Sequence, residues 1–287
     1  MKPPAPSPAP VFAGTHPGPF GAPPPPPRRR RPTALLVGLS LVGLAGAAAL
    51  VRHRTRRAPP AVVAVAPAVD LGAGDGHTCA RFAEGTVRCW GANNRGQLGA
   101  RAPSPGVPVR VPLPQGALHV ALGEEHTCAA LADGAVRCWG RATSGQLGRA
   151  ADIESFAPVA VDGVAGAAEL ALGIFHSCAR LADGTARCWG TNVHGQLGDG
   201  TADPRDTPVP AIDQAELTQL AAGESDTCAV RGDGTVHCWG ASYGTGPGAG
   251  PQEVSGLTEA VQVSVGHGDT CARRRDGTLR CWSAARC

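Results

Sequence analysis

Ten of the eleven cysteines stand in pairs ten positions apart: Cys79 and Cys89, Cys128 and Cys138, Cys178 and Cys188, Cys228 and Cys238, Cys271 and Cys281. Cysteines at a fixed spacing either oxidise to disulfides or bind metal as thiolates. His77, His126 and His176 stand two residues ahead of the first cysteine in three copies. His-x-Cys-x9-Cys is a ligand set that zinc accepts. Asp226 and Asp269 take the histidine's place in the other two copies while both cysteines remain. A ligand role would not survive that exchange unchanged, so disulfides are favoured over a metal site, and the histidines read as turn or strand-end groups. Cys287 is left over, as a free thiol or as one half of a bridge to a second chain.

Two further stretches have the residue types of chemistry. Gly240–Gly244 reads GASYG and matches the nucleophile elbow around Ser242. It aligns with GANNRG and GRATSG of other copies and is not placed between a strand and a helix, which the elbow requires. Asp199, Asp203 and Asp206 offer oxygen ligands to a hard cation; a solvated loop is the favoured reading. No catalytic residue and no cofactor is expected.

The elements that hold the cysteines follow from the turn between them. In HTCAALADGAVRCWG, from His126, alternating residues read as two strands around Ala132-Asp133-Gly134. A type I turn followed by a glycine bulge fits three such residues. That turn pairs residue 131 with 135, and counting outward sets Cys128 opposite Cys138. A two-residue Asp-Gly turn would instead pair Cys128 with Trp139. The constant spacing therefore predicts five hairpins, each with a staple between opposed cysteines, worth about 2–3 kcal/mol apiece. Disulfides persist outside the cytosol, so the domain is expected in an oxidising compartment.

Charge and composition divide the chain. The first 60 residues hold 15 of the 27 prolines, nine basic residues and no Asp or Glu. The remainder carries 17 Arg, no Lys and 23 acidic residues, so its balance is 17 − 23 = −6. An acidic domain without lysine is a poor match for a phosphate backbone, and no nucleic-acid partner is expected. Residues 1–32 read as a Pro/Arg-rich disordered tail. Thr33–Val51 is uncharged and spans about 28 Å as a helix, close to the hydrocarbon thickness. It reads as a signal-anchor, with a cleaved signal as the alternative. Residues 52–60 are a basic, Pro-containing linker, and 61–287 form the folded domain. Arginines flank the apolar run on both sides, so the cysteines rather than the positive-inside rule orient it. The expected location is the cell membrane, with the domain in the periplasm or on the surface.

The hairpin is part of a larger repeat. Runs of small apolar residues precede it: AVDLGAG, LHVALGE, AELALGI, LTQLAAG and AVQVSVG. GANNRGQLG, GRATSGQLG, GTNVHGQLG and a degraded GASYGTGPG follow it, and PVRVP, APVAV and TPVPA come next. About four short strands per period of 40–50 residues mean a β-propeller. The small-residue run is its innermost strand, and each tryptophan packs between neighbouring blades.

The pattern HTCA-x3-DG-x-V-x-CWG-x4-GQLG resembles the repeat of the regulator of chromosome condensation family, in its cysteine-bearing bacterial form. The resemblance covers about residues 68–287. It implies a propeller, most often with seven blades, whereas only five hairpins are present. The last copy stops at CWSAARC without a fourth strand, and PPAVVAVAPAVD at 59–70 resembles the missing one. The fold expected is therefore all-β, a five-bladed propeller closed by an N-terminal strand, with an open or dimer-completed ring as the alternative.

Residues that vary inside this constant frame indicate function. Between inner strand and hairpin the copies read GDGH, GEEH, GIFH, GESD and GHGD. In a ring these positions share one face. Asp75, Glu124, Glu125, Ile174, Phe175, Glu224 and His267 are therefore the expected partner-binding residues. The expectation is a membrane-anchored module that binds an unidentified protein and is not an enzyme. The alternatives are an inhibitor of an extracytoplasmic enzyme and a cell-wall hydrolase or lyase.

Overall fold

The structure is a computed structural model describing residues 67–101, 106–150, 154–243 and 248–283. All of these lie in the unit Val62–Cys287. The expected tail, anchor and linker (1–60) and Cys287 lie outside the described residues. Among the described residues no helix is long and apolar enough to cross a membrane.

Among the described residues, nineteen strands form five antiparallel sheets, the blades, each a meander in chain order. The first holds β1 (Ala68–Ala73), β2 (His77–Phe82), β3 (Val87–Gly91) and β4 (Val109–Arg110). The second holds β5 (Ala117–Leu122), β6 (His126–Leu131), β7 (Val136–Arg141) and β8 (Glu154–Ala160). The third holds β9 (Ala167–Leu172), β10 (His176–Leu181), β11 (Ala186–Gly190) and β12 (Arg205–Pro210). The fourth holds β13 (Leu217–Ala222), β14 (Asp226–Arg231), β15 (Val236–Gly240) and β16 (Gln252–Glu253). The fifth holds β17 (Ala260–Val265), β18 (Asp269–Arg274) and β19 (Leu279–Ser283).

Each hairpin has the register that its turn dictates. The amide of Leu131 donates to the carbonyl of Ala135 at 2.8 Å, and that of Gly134 to Leu131 at 2.9 Å. Gly134 has φ 81°, which only glycine adopts at little cost. Asp133 Oδ1 accepts from the Ala135 amide at 3.1 Å and holds the turn. Counting outward, Cys128 faces Cys138. All five pairs are disulfides with Cα separations of 4.0–4.1 Å. No described cysteine is left as a thiolate for zinc.

The blades pack face to face in series. The cysteine face of one meets the tryptophan face of the next. Cys79, Val87 and Leu98 pack with Val120, Leu131 and Trp139 between the first two blades. Cys128, Val136 and Leu147 meet Leu170, Leu181 and Trp189 between the second and third. Cys178 and Leu197 meet Leu220 and Trp239 next, then Cys228 and Val236 meet Val263 and Trp282. The inner strands crowd one axis: a Cβ on Gly74, Gly123, Gly173 or Gly223 would overlap the carbonyl of the corresponding glycine one blade on. Small residues are needed there for that reason.

The fifth interface differs. A Cβ on Gly266 would meet only its own blade's Asp269 carbonyl, at 3.4 Å. Leu71 of β1 is 68% exposed, whereas Val120 at the same place in the second blade is 3% exposed. Leu279 of β19 is 70% exposed against 1% for its counterpart Val136. The fifth blade has three strands among the described residues, not four. Of the expected closing strand, residues 59–66 lie outside the described residues. Its last three, 68–70, belong to β1, because they pair with β2.

Candidate functional site: the axial mouth

Every inner strand ends in a glycine that turns the chain at one end of the axis, and two variable residues follow. Asp75, Glu124, Ile174, Glu224 and His267, one from each blade, line a common cavity of about 310 Å³ with Leu122, Leu172 and Val265 beneath. The turns are tied pairwise. The Asp75 amide donates to the Glu124 carbonyl at 3.3 Å, and the Ile174 amide to the Glu224 carbonyl at 3.3 Å. Those bonds use backbone, so the side chains remain at the mouth. Nε2 of His267 lies 3.1 Å from a Glu224 carboxylate oxygen. The mouth is acidic with one apolar wall at Ile174, a surface suited to a basic or amphipathic segment.

Glu125 and Phe175 do not line this cavity. Arg141 Nη1 donates to Glu125 at 2.7 Å, and its guanidinium lies 5.0 Å over the Phe175 ring. Arg95 reaches Glu125 at 3.9 Å and Glu154 at 3.8 Å. The Phe175 ring is thus a platform for an arginine of the neighbouring blade. The seven expected residues therefore separate into a mouth of five and an interblade arginine cluster holding the other two.

The histidines ahead of the hairpins do more than end a strand. Nε2 of His77 lies 2.8 Å from the Thr127 hydroxyl, which donates onward to the Gln97 carbonyl at 3.0 Å. That carbonyl also accepts the Trp139 indole N–H at 2.9 Å. The hydroxyl's proton is committed, so His77 donates from Nε2 and its Nδ1 is bare. His126, Ser177, Gln146 and Trp189 repeat the relay. So do His176, Thr227, Gln196 and Trp239. Burial holds the three histidines neutral, with pKa values lowered to about 4, 3 and 4.

The signal for this relay was the hydroxyl that follows each histidine in HTC and HSC. Asp226 breaks the pattern by binding Ser242 within its own blade, at 2.6 Å to the hydroxyl. Tyr243 then replaces the missing loop carbonyl, 2.8 Å from Thr270 and 2.9 Å from the Trp282 indole nitrogen. Ser242 therefore has a structural partner. Asp199 is likewise engaged, accepting from Asn192, Thr201 and Arg205.

Residues 68–97, 118–146 and 168–196 match a family model described as the regulator of chromosome condensation (RCC1) repeat, and residues 84–130 match a second of the same description. No curated protein matches the chain by sequence. Among solved structures, human WBSCR16 is similar with TM-score 0.67 at 22% identity, over 75% of this chain and 61% of that one. Prp20p from Saccharomyces cerevisiae, which has binding properties to Gsp1p and histones, is similar with TM-score 0.63 at 24% identity, over 75% and 58%. The ectodomain of the Physcomitrella patens receptor kinase CR4 gives 0.50 at 22% identity, over 78% and 51%. The chain thus spans about three-fifths of the first two or less, and the likeness at these identities is one of fold. With five sheets of the expected register and matched repeats in the first three, the chain carries repeats of the regulator of chromosome condensation (RCC1) type over residues 68–146 and 168–196.

Proposed function

We propose that the protein is an exported, membrane-anchored interaction module that captures a protein partner at the axial mouth and carries out no catalysis. The observation behind this is the variable set Asp75, Glu124, Ile174, Glu224 and His267, which converges on one cavity while the frame around it repeats. Repeat frames keep the fold and vary the residues that read a ligand. Prp20p, with the same fold, binds proteins; its particular partners are not carried over. The acidic rim favours a partner segment carrying Arg or Lys, with an aliphatic residue against Ile174. Five hairpin disulfides support an oxidising compartment. Thr33–Val51 supports a single-pass anchor that leaves the domain outside the cytosol.

Completion of the fifth blade by a strand drawn from 59–66 belongs to the same reading. Four blades have a proline nine residues before their successor's inner strand begins (108 and 117, 158 and 167, 208 and 217, 251 and 260), and Pro59 stands nine before Ala68.

The test is capture by the full chain in mild detergent, with and without the double variant Glu124→Lys, Glu224→Lys. Loss of the captured protein with the fold retained supports the mouth as the site. Equal capture by the variant overturns it.

A further inference from the structure

Each of the four closed interfaces has the same contact set. The inner strand of one blade presents an acceptor to a backbone N–H of the next: Asp70 to Val120 at 3.4 Å, His119 to Leu170 at 3.2 Å, Glu169 to Leu220 at 3.1 Å and Gln219 to Val263 at 2.7 Å. An apolar residue of the first blade's third strand is buried on the same face, as Val136 is at 1% exposure. The fifth blade carries its half of this set. Gln262 occupies the acceptor position, and its Oε1 is oriented by Arg273 Nε at 3.1 Å. Leu279 occupies the position of Val136. The first blade carries the other half, in Leu71 with its amide and in the Trp90 ring.

The two halves are matched in kind, and they do not meet within one chain. Were the fifth step equal to the other four, Gly74 would supply the carbonyl against Gly266, and it does not. We infer that these faces are a self-association surface: the fifth blade of one copy docks on the first blade of a second copy through the contacts that join blades within the chain. The joint is head-to-tail, since different faces meet. This inference is independent of what the mouth binds.

The experiment is the mass in solution of the full chain, oxidised and in mild detergent, for the wild type, for Leu71→Asp and for Leu279→Asp. Both leucines are exposed in the single chain, so neither change removes a contact that the single chain needs. The expected result is an assembly of two or more copies for the wild type and single chains for each variant alone. Mixing the two variants restores one good joint and should give a 1:1 pair, which only a head-to-tail interface allows. A single-chain wild type overturns the inference, as does an assembly that persists in both variants or a mixture that fails to pair. A Gln262→Ala variant should weaken the assembly without unfolding the blade, and no change in its assembly would count against the acceptor's role.

Discussion

Nε2 of His126 lies 2.9 Å from the Ser177 hydroxyl in the next blade, and that hydroxyl donates back to the Gln146 carbonyl in the first. The relay crosses the interface twice. It fixes the tautomer and leaves Nδ1 bare and buried without a partner.

A second proton on these rings would be buried with no acceptor, and this sets a pH dependence. Unfolded histidine takes its proton near pH 6.5, whereas folded His77 and His176 do so near 4 and His126 near 3. Their contribution is complete above pH 6.5 and is lost as pH falls toward those folded values. Each histidine costs about 1.4 kcal/mol per pH unit in that window. Melting temperature should fall steeply between pH 6.5 and 5, above the range where carboxylates titrate. Burial also lowers His119 and His237, so His126→Gln should remove about a third of the relay's part of the slope. A flat profile would contradict the relay.

Trp189 is fully buried and donates to Gln146 across the same interface. Trp189→Phe should cost about 1 kcal/mol, the lost hydrogen bond, because the Gln146 carbonyl keeps the Ser177 hydroxyl. Trp189→Ala should cost about 3–5 kcal/mol. Denaturant titration measures both. Equal costs would mean that packing alone matters.

Gly123 sits where a Cβ would overlap both the Gly173 carbonyl and the His126 ring. Gly123→Ala must push two blades apart and should destabilise by at least about 2 kcal/mol. Gly163, unlike Gly123, has a positive φ but open space around it, so Gly163→Ala bears only the backbone cost of about 1 kcal/mol. Similar melting shifts for the two would contradict axial crowding.

The staples differ in exposure. Cys178–Cys188 is buried completely, whereas Cys281 of the fifth blade is exposed. Graded reductant should open Cys271–Cys281 first. Replacing Cys178 and Cys188 by alanine should cost about 2–3 kcal/mol. Mass spectrometry of alkylated peptides reads the order. Simultaneous opening of all five would mean that reduction waits on global unfolding.

The hairpin register was legible because turn length and cysteine spacing over-determine it: three turn residues and a period of ten leave one pairing. Axial crowding was legible from the small residues of the inner strands. The relay was not, because a contact over about fifty positions leaves no local periodicity, though the repeated hydroxyl after each histidine marks it. The place of Phe175 beneath an arginine was not legible either. Its partner, Arg141, lies in another repeat and aligns with the unremarkable Ala92 and Thr191. Closure of the ring could not be read because it depends on the rotation per blade, which packing sets and composition does not.

The most direct test of an exported, stapled propeller is thiol counting on the chain recovered from cells, alkylated before and after reduction. The account predicts that the ten paired cysteines are unreactive before reduction and all react after it, with Cys287 alone open to label beforehand unless it bridges two chains. Labelling of all eleven without reductant, on protein that is still folded, would contradict the staples and the compartment together.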